Sequence, residues 1–174
     1  MKTRIASLAV VILFSAAISA QAATTVTVKG VHLCCGQCLK AVGKAVGAVE
    51  GVGVSCNKKA RTVTIVAEND TAAQKALDAL AKAGFHGTTG NKKLAIKDDS
   101  KAGKEKVSRI VVSGAHNCCG ACSKAIKTLV SKVSGVDGVG VKPRAKSFAV
   151  EGNFVPADVI KALNGAGFHA TVKK

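Results

Sequence analysis

Apolar residues in this chain alternate with polar ones, then change to helical spacing, and the same order occurs twice. In its first occurrence, Val26 and Val28 alternate with polar neighbours, which predicts a half-buried strand. A helix is predicted next, because apolar residues fall on one face and Gly51 provides a C-terminal stop. The residues on that face are Cys38, Val42, Ala45, Val46 and Val49.

Two short strands, a second helix and a final strand complete the first unit. Alternating apolar residues predict the two strands at 52–54 and 63–65. Thr71 and Gln74 have the spacing of a capping box and predict the start of the second helix. A last and weaker strand is expected after residues 85–86. The resulting order, βαββαβ, is the ferredoxin-like arrangement.

The second occurrence of the pattern begins at Val107, and its positions repeat those of the first at offsets of about 83 to 85, as expected if only loops changed length. Pro156 lies where the first turn of a helix accepts proline. The repeated apolar residues are Ile110, Val112, Phe148, Val150, Ile160 and Leu163. We therefore expect an α+β protein of two tandem ferredoxin-like βαββαβ sandwiches after an N-terminal signal peptide.

The first 22 residues have the features of an export signal. A basic start precedes an apolar run over 5–18, and residues 20–22 have the small-x-small form of a signal-peptidase site. The run is short for a membrane span and no stop-transfer segment follows, so cleavage is favoured over an uncleaved anchor. We expect a periplasmic or secreted protein with no transmembrane segment in the mature chain.

Between the two units the chain is polar, rich in lysine and nearly free of core residues, which predicts a linker. Each unit has about 65 residues, a size at which the core alone gives only marginal stability. The predicted boundaries are 1–22 for the signal peptide, 24–90 for the first domain, 91–106 for the charged linker and 107–174 for the second domain.

The chain is strongly basic, with a formal net charge of +16. Without Lys2 and Arg4 of the signal, 24 basic residues remain against 10 acidic ones, a charge of +14. Such a charge favours an acidic metal-transfer protein or an anionic envelope surface as partner. Nucleic acid is not expected, because the chain has no Trp or Tyr on which bases could stack.

Six of the seven cysteines lie in two copies of one motif, where a predicted strand leads into a helix. Backbone N–H groups at a helix start favour thiolate over thiol, and thiolates bind soft cations such as Cu(I), Zn(II), Cd(II) or Hg(II). The two copies are His32-Leu33-Cys34-Cys35-Gly36-Gln37-Cys38 and His116-Asn117-Cys118-Cys119-Gly120-Ala121-Cys122.

The pattern resembles the heavy-metal-associated domain, which is found in copper chaperones, metal-pumping ATPases and periplasmic mercury-binding proteins. The features shared with that family are Cys35-Gly36-Gln37-Cys38, Gly51-Val52 and Ala83-Gly84-Phe85, and in the second copy Cys119-Gly120-Ala121-Cys122, Gly135-Val136 and Ala166-Gly167-Phe168. The resemblance implies that Cys35, Cys38, Cys119 and Cys122 are metal ligands. It also favours Cu(I), with Zn(II) and Hg(II) as alternatives.

Further candidate ligands flank each CxxC pair. Cys34 and Cys118 replace a threonine of the family, and a third thiol would bind metal more tightly and favour sequestration over rapid transfer. The alternative is an inward thiol, since neighbouring side chains on extended backbone point opposite ways. The four histidines, His32, His116, His86 and His169, are candidate ligands, neighbours that hydrogen bond to the ligands, or structural residues. Cys56 is interpreted as a small buried apolar residue.

Two functions compete for the CxxC pairs. The favoured one is an exported soft-metal-binding protein that buffers, sequesters or carries metal; the alternative is a periplasmic thiol–disulfide redox protein. A third hypothesis is a structural protein whose cysteines form permanent disulfides. The sequence contains no nucleophile set, carboxylate pair or phosphate loop, so we do not expect an enzyme.

Overall fold

The structure is a computed structural model that describes residues 23–173. The predicted signal peptide, residues 1–22, lies outside the described residues. Within residues 23–173, none of the helices has the length and apolar character needed to cross a bilayer.

The first unit is an antiparallel sheet covered by two helices. Its strands stand in the order β1-β3-β2, so the two outer strands both pair with β3. Buried side chains of both helices and of the sheet form its core, as the alternating and helical patterns predict. Its elements are β1 (Thr24–Lys29), α1 (Gly36–Val46), β2 (Val52–Asn57), β3 (Thr62–Ala67) and α2 (Asp70–Lys82).

The second unit repeats this plan with four strands in the order β5-β6-β4-β7. The described residues therefore form two antiparallel sheets and four helices, which confirms the predicted α+β class with its ferredoxin-like units. Its elements are β4 (Val107–Ser113), α3 (Gly120–Val130), β5 (Val136–Val139), β6 (Ser147–Phe154), α4 (Pro156–Gly165) and β7 (Thr171–Lys173). As predicted, Pro156 occupies the first turn of α4.

Two helix ends differ from the prediction. Helix α1 ends at Val46 with Gly47 as its C-cap, so it stops before Gly51. Helix α2 is capped by Asn69, whose side-chain oxygen accepts a hydrogen bond from the Ala72 N–H at 2.9 Å. The predicted capping box at Thr71 and Gln74 is therefore wrong. Asn69 is the better cap because its extended backbone lets the amide reach back to the first turn.

The final strand predicted for the first unit is reduced to isolated backbone pairings. Thr88 pairs with Lys29 of β1, and Phe85 pairs with Phe168 of the second unit. The His86 N–H donates to the Gly167 carbonyl at 3.0 Å rather than to β1. This segment therefore gives part of its backbone hydrogen bonding to the other unit, which explains why no regular strand forms.

The two units pack against each other through matched backbone contacts around Gly84 and Gly167. The Gly84 carbonyl accepts from the N–H groups of His116 and His169 at 3.1 and 3.0 Å, and the Gly167 carbonyl accepts from those of His32 and His86 at 3.3 and 3.0 Å. Both glycines have positive φ, +86° and +91°, and a Cβ on either would collide with backbone of the opposite unit. Glycine is required at both places.

The predicted linker is packed rather than free. Leu94 is 5% exposed and Ser100 is also 5% exposed, so the segment does contribute buried residues. The Ser100 carbonyl accepts from the Val172 N–H of β7 at 2.8 Å, and the Ala95 carbonyl accepts from Gln74 of α2 at 3.0 Å. The polar composition of the segment predicted a free linker. Buried Leu94 and these backbone hydrogen bonds instead fix the segment to both units.

Candidate metal centre

Each CxxC motif begins a helix, as the sequence predicts. Cys35 is the N-cap of α1, with extended backbone at φ −148°, and Cys119 is the N-cap of α3 at φ −154°. Cys38 and Cys122 lie in the first helical turn and are fully buried. The motif therefore places one partly exposed and one buried sulfur at the start of each helix.

The cysteines of the two motifs meet at the interface between the units. Across that interface, Cys34 Sγ lies 3.4 Å from Cys122 Sγ and 4.0 Å from Cys119 Sγ. In the matching arrangement, Cys118 Sγ lies 3.6 Å from Cys35 Sγ and 3.8 Å from Cys38 Sγ. We refer to these six sulfurs as the thiol cluster.

Contacts within each motif complete the thiol cluster. In the first motif, Cys38 Sγ lies 3.5 Å from Cys34 Sγ and 3.8 Å from Cys35 Sγ. In the second, the Cys122 sulfur lies 3.7 Å from that of Cys118 and 3.9 Å from that of Cys119. The sequence suggests a site at each motif, and the structure brings the sulfurs of both motifs together in one cluster.

The N-cap cysteines are the most readily ionised thiols of the cluster. The backbone N–H groups at the helix start, that of Cys38 first, lower the pKa of the Cys35 thiol to about 6, although burial works in the opposite direction. The Cys122 N–H likewise lowers the pKa of Cys119. At neutral pH Cys35 is therefore largely thiolate, and the lowered pKa of Cys119 favours the thiolate form in the same direction.

The remaining shifted thiols favour the protonated form until a cation arrives. Burial, followed by hydrogen bonding to Cys122 and Cys38, raises the pKa of Cys34. Burial also raises the pKa of Cys118 and of Cys122. Metal binding at the cluster must therefore release protons.

His32 is the histidine that the structure places beside the sulfurs. One of its ring nitrogens lies within 4.8 Å of the Cys34 and Cys122 sulfurs. Burial, followed by the positive charge of Arg61, lowers the pKa of His32 to about 4, so the ring is neutral and able to bind metal. Its Nε2 is buried and has no hydrogen-bond partner among the described residues.

The other three histidines, His116, His86 and His169, lie in aromatic stacks and belong to none of the ligand groups found among the described residues. His116 stacks on Phe85 at 4.3 Å, as His32 stacks on Phe168 at 4.1 Å, and its Nε2 also has no partner within the described part of the chain. His86 and His169 stack on each other with centroids 5.8 Å apart. Among residues 23–173, neither belongs to a group of three potential ligands.

His169 has an alternative partner, since its Nε2 lies 2.8 Å from an oxygen of Asp99. Cys56 is half-buried on β2, opposite Val63 of β3, and burial raises its pKa. Within the described residues it joins none of the sulfur groups, in keeping with the interpretation as a packing residue.

The sequence did not indicate the residues that hold the two cysteine loops. The Arg61 guanidinium donates to the Gly30 carbonyl at 2.9 Å and, across the interface, to the Ala166 carbonyl at 3.0 Å. Asn117 donates to the Lys142 carbonyl at 2.7 Å and accepts from the Ser123 hydroxyl at 2.8 Å. Arg61 has a positive φ of 54°, a backbone conformation that the sequence did not predict at this position.

A basic groove leads to the cluster from one side. It has a volume of about 670 Å³, and Cys34 and His32 lie in its wall together with Lys58, Lys59 and Arg61. Three positive side chains at this mouth favour the approach of anions, including metal ions carried as anionic complexes.

A cluster of thiols with a half-buried imidazole at its edge defines the class of the site, which is a centre for soft heavy-metal ions. The comparison with known families agrees, since residues 112–169, which lie in the second unit, match the heavy-metal-associated domain. The match does not extend to the first unit, whose likeness rests on its own motif and fold.

Two solved structures resemble the chain. One is the solution structure of the N-terminal soluble domains of Bacillus subtilis CopA, at 18% identity over 88% of this chain and 95% of that one, with a TM-score of 0.34. The other is the water-soluble region of the P-type ATPase CopA from Bacillus subtilis, at 19% identity over 88% and 93%, also with a TM-score of 0.34. No curated protein matches the chain.

Proposed function

We propose that this chain is an exported soft-metal-binding protein that buffers, sequesters or carries Cu(I) through the thiol cluster. The observation that supports the proposal most strongly is the convergence of six thiols, with sulfur–sulfur distances of 3.4 to 4.0 Å, from two motifs far apart in the sequence. Zn(II), Hg(II) and Cd(II) are the alternative ions.

The donor atoms favour a thiophilic ion. Around a tetrahedral ion with metal–sulfur bonds of about 2.3 Å, sulfurs are about 3.8 Å apart, which falls within the observed range. The groups of potential ligands among the described residues contain cysteine and histidine and no carboxylate. Ions such as Mg²⁺ and Ca²⁺, which prefer oxygen, are therefore poorly served.

Burial of the sulfurs supports storage over rapid exchange. Cys38 and Cys122 are fully buried, and sulfurs of both units surround each other at the interface. A metal ion bound by Cys38 and Cys122 would be shielded from solvent on that side, which slows its release. Buffering or sequestration is therefore the favoured role, with transfer to a partner as the slower alternative.

Export and an envelope location are part of the proposal. They are supported by the basic and apolar N-terminal sequence, which lies outside the described residues, and by the charge of +14 left after its removal. The basic groove beside Cys34 supports an acidic metal-transfer protein, or an anionic envelope surface, as partner.

The alternative function, thiol–disulfide exchange, is favoured by one observation. The pKa of Cys35, lowered to about 6 by the helix N–H groups, is typical of an attacking thiol in a redox pair. A redox protein would catalyse reduction of a test disulfide at catalytic concentration and would need no metal. A metal-binding protein would show no such turnover.

The central experiment is anaerobic Cu(I) titration of the mature chain against a chromophoric chelator. We expect uptake of about one Cu(I) per unit by the parent and loss of uptake in C35S/C38S/C119S/C122S, because thiolates are the donors. The control variant C56S removes the one cysteine outside the two motifs, and its Cu(I) uptake should equal that of the parent. If the quadruple variant loads Cu(I), Zn(II) or Hg(II) as the parent does, the proposal is wrong.

A further inference from the structure

We infer that each Cu(I) is bound by the CxxC pair of one unit together with the extra cysteine of the other unit. Cys118 completes the site of Cys35 and Cys38, and Cys34 completes the site of Cys119 and Cys122. This inference rests on the proposed function and specifies the ligands of its metal sites. Each site takes cysteines from both motifs.

The first of these sites is a nearly regular triangle of sulfurs. Its sides are 3.8 Å between Cys35 and Cys38, 3.6 Å between Cys35 and Cys118, and 3.8 Å between Cys38 and Cys118. The centre of a regular triangle lies at the side divided by the square root of three from each corner. An ion there would be about 2.2 Å from each sulfur, close to the metal–thiolate bond of about 2.3 Å.

The second triangle has the same composition with the units exchanged. Its sides are 3.9 Å between Cys119 and Cys122, 3.4 Å between Cys34 and Cys122, and 4.0 Å between Cys34 and Cys119. The mean side again corresponds to a sulfur-to-centre distance of about 2.2 Å, near the expected bond length. A ring nitrogen of His32 lies within 4.8 Å of two of these sulfurs.

The backbone explains why the extra cysteine serves the opposite unit. Cys35 is an N-cap with extended backbone, and neighbouring side chains on extended backbone point to opposite sides. The loop that carries Cys34 is tied to the second unit by the His32 N–H to Gly167 carbonyl bond of 3.3 Å and by Arg61. The second loop is tied in the same way, by the His116 N–H to Gly84 carbonyl bond of 3.1 Å.

A cis arrangement is the alternative that the experiment must separate. The second motif's own sulfurs, Cys118, Cys119 and Cys122, also lie within 4.8 Å of one another. The two arrangements differ in which extra cysteine matters to a given CxxC pair. Removing one pair therefore isolates one site in the full-length mature chain and allows its third ligand to be identified.

The experiment measures Cu(I) affinity by chelator competition in the C35S/C38S background, which retains only the second pair. We expect C34S to weaken the remaining site by at least about tenfold and C118S to change it by less than about threefold. X-ray absorption should show three sulfurs per copper in the background and two after C34S. In the C119S/C122S background the roles reverse, with C118S as the damaging substitution.

The outcomes separate this inference from the proposed function. If C118S rather than C34S weakens the site in the C35S/C38S background, ligation is in cis and the inference is wrong. Equal effects of both substitutions, or none, also overturn it, because the third ligand is then not specific to the opposite unit. If the parent chain takes up no soft metal at all, the proposed function fails instead. C56S serves as the matched cysteine control.

A second measurement changes no sulfur and remains available if a cysteine background fails to fold. A Cβ at Gly84 would collide with the backbone of residues 114–116 in the opposite unit, whereas Gly114, at nearly the same φ of +87°, has open space around the added carbon. We expect G84A to lower Cu(I) affinity by at least about tenfold and G114A to have little effect. Unchanged affinity in a folded G84A protein would contradict ligation across the interface.

Discussion

Cys34 and Cys35 are neighbours in the sequence with opposite tendencies to ionise. The helix N–H groups lower the pKa of Cys35 to about 6, whereas burial raises that of Cys34. The same contrast separates Cys119 from Cys118. The family resemblance indicated the CxxC pairs. It could not show that Cys34 and Cys118 each lie against sulfurs of the other unit.

This contrast predicts the order of alkylation in the reduced, metal-free chain. Because thiolate is the reacting form, iodoacetamide at pH 7 should modify Cys35 and Cys119 before Cys34 and Cys118. Peptide mass spectrometry after short reaction times gives the order. Equal rates at all four positions would show that the helix starts do not activate the N-cap thiols.

Three histidines predict how the stability of the metal-free chain depends on pH. Burial lowers the pKa of His32, to about 4, and also those of His86 and His116. Each ring is held neutral in the folded state, while the unfolded chain takes up protons at a pKa of about 6.5. Stability is therefore fully present above that value and falls as the pH decreases below it, down to the folded pKa.

The corresponding measurement is thermal unfolding at pH 7.5 and pH 5. We expect a midpoint several degrees lower at pH 5 and a smaller difference in H86Q, which removes one of the three groups. Asp98 does not interfere, because its pKa is lowered from an already acidic value by the hydroxyl and N–H of Ser100. A midpoint that is the same at both pH values would contradict the burial of neutral rings.

At the level of elements, the start of helix α2 shows where sequence patterns mislead. The sequence predicted a capping box at Thr71 and Gln74, whereas the structure has Asn69 as the N-cap. Gln74, the expected partner of Thr71, donates to Asp78 at 2.8 Å and to the Ala95 carbonyl. The side chain of Gln74 therefore bonds to Ala95 of the connecting segment, which is remote in sequence, and does not form the local bond to Thr71 that the capping box implied.

Replacing this cap tests the assignment directly. N69A should lower the free energy of unfolding by about 1 kcal/mol, because the Ala72 N–H loses its partner. The matched control T71A should cost much less. Denaturant unfolding of both variants gives the two free energies of unfolding. A larger loss of stability in T71A than in N69A would support the capping box at Thr71 instead.

For the whole molecule, periodicity was sufficient to predict the fold class and the position of each CxxC motif at a helix start. It could not predict the interface, because hydrophobic patterns show which face is buried and not what covers it. Gly84 and Gly167 entered the sequence analysis only as part of the family resemblance, and the structure shows that they bring the two backbones together. Leu94 and Ile96 are the large apolar residues of an otherwise polar segment, and two such residues were too few to predict its packing.

The shared centre has a consequence for the gain and loss of repeats. Tandem domains are commonly modules that can be deleted or duplicated one at a time, and the number of ligands bound then changes in proportion to the number of domains. Here the sulfurs of one repeat lie against those of the other, from Cys34 beside Cys122 to Cys35 beside Cys118. Deleting either repeat would disrupt both halves of the centre, so we expect the two repeats to be gained and lost as a pair.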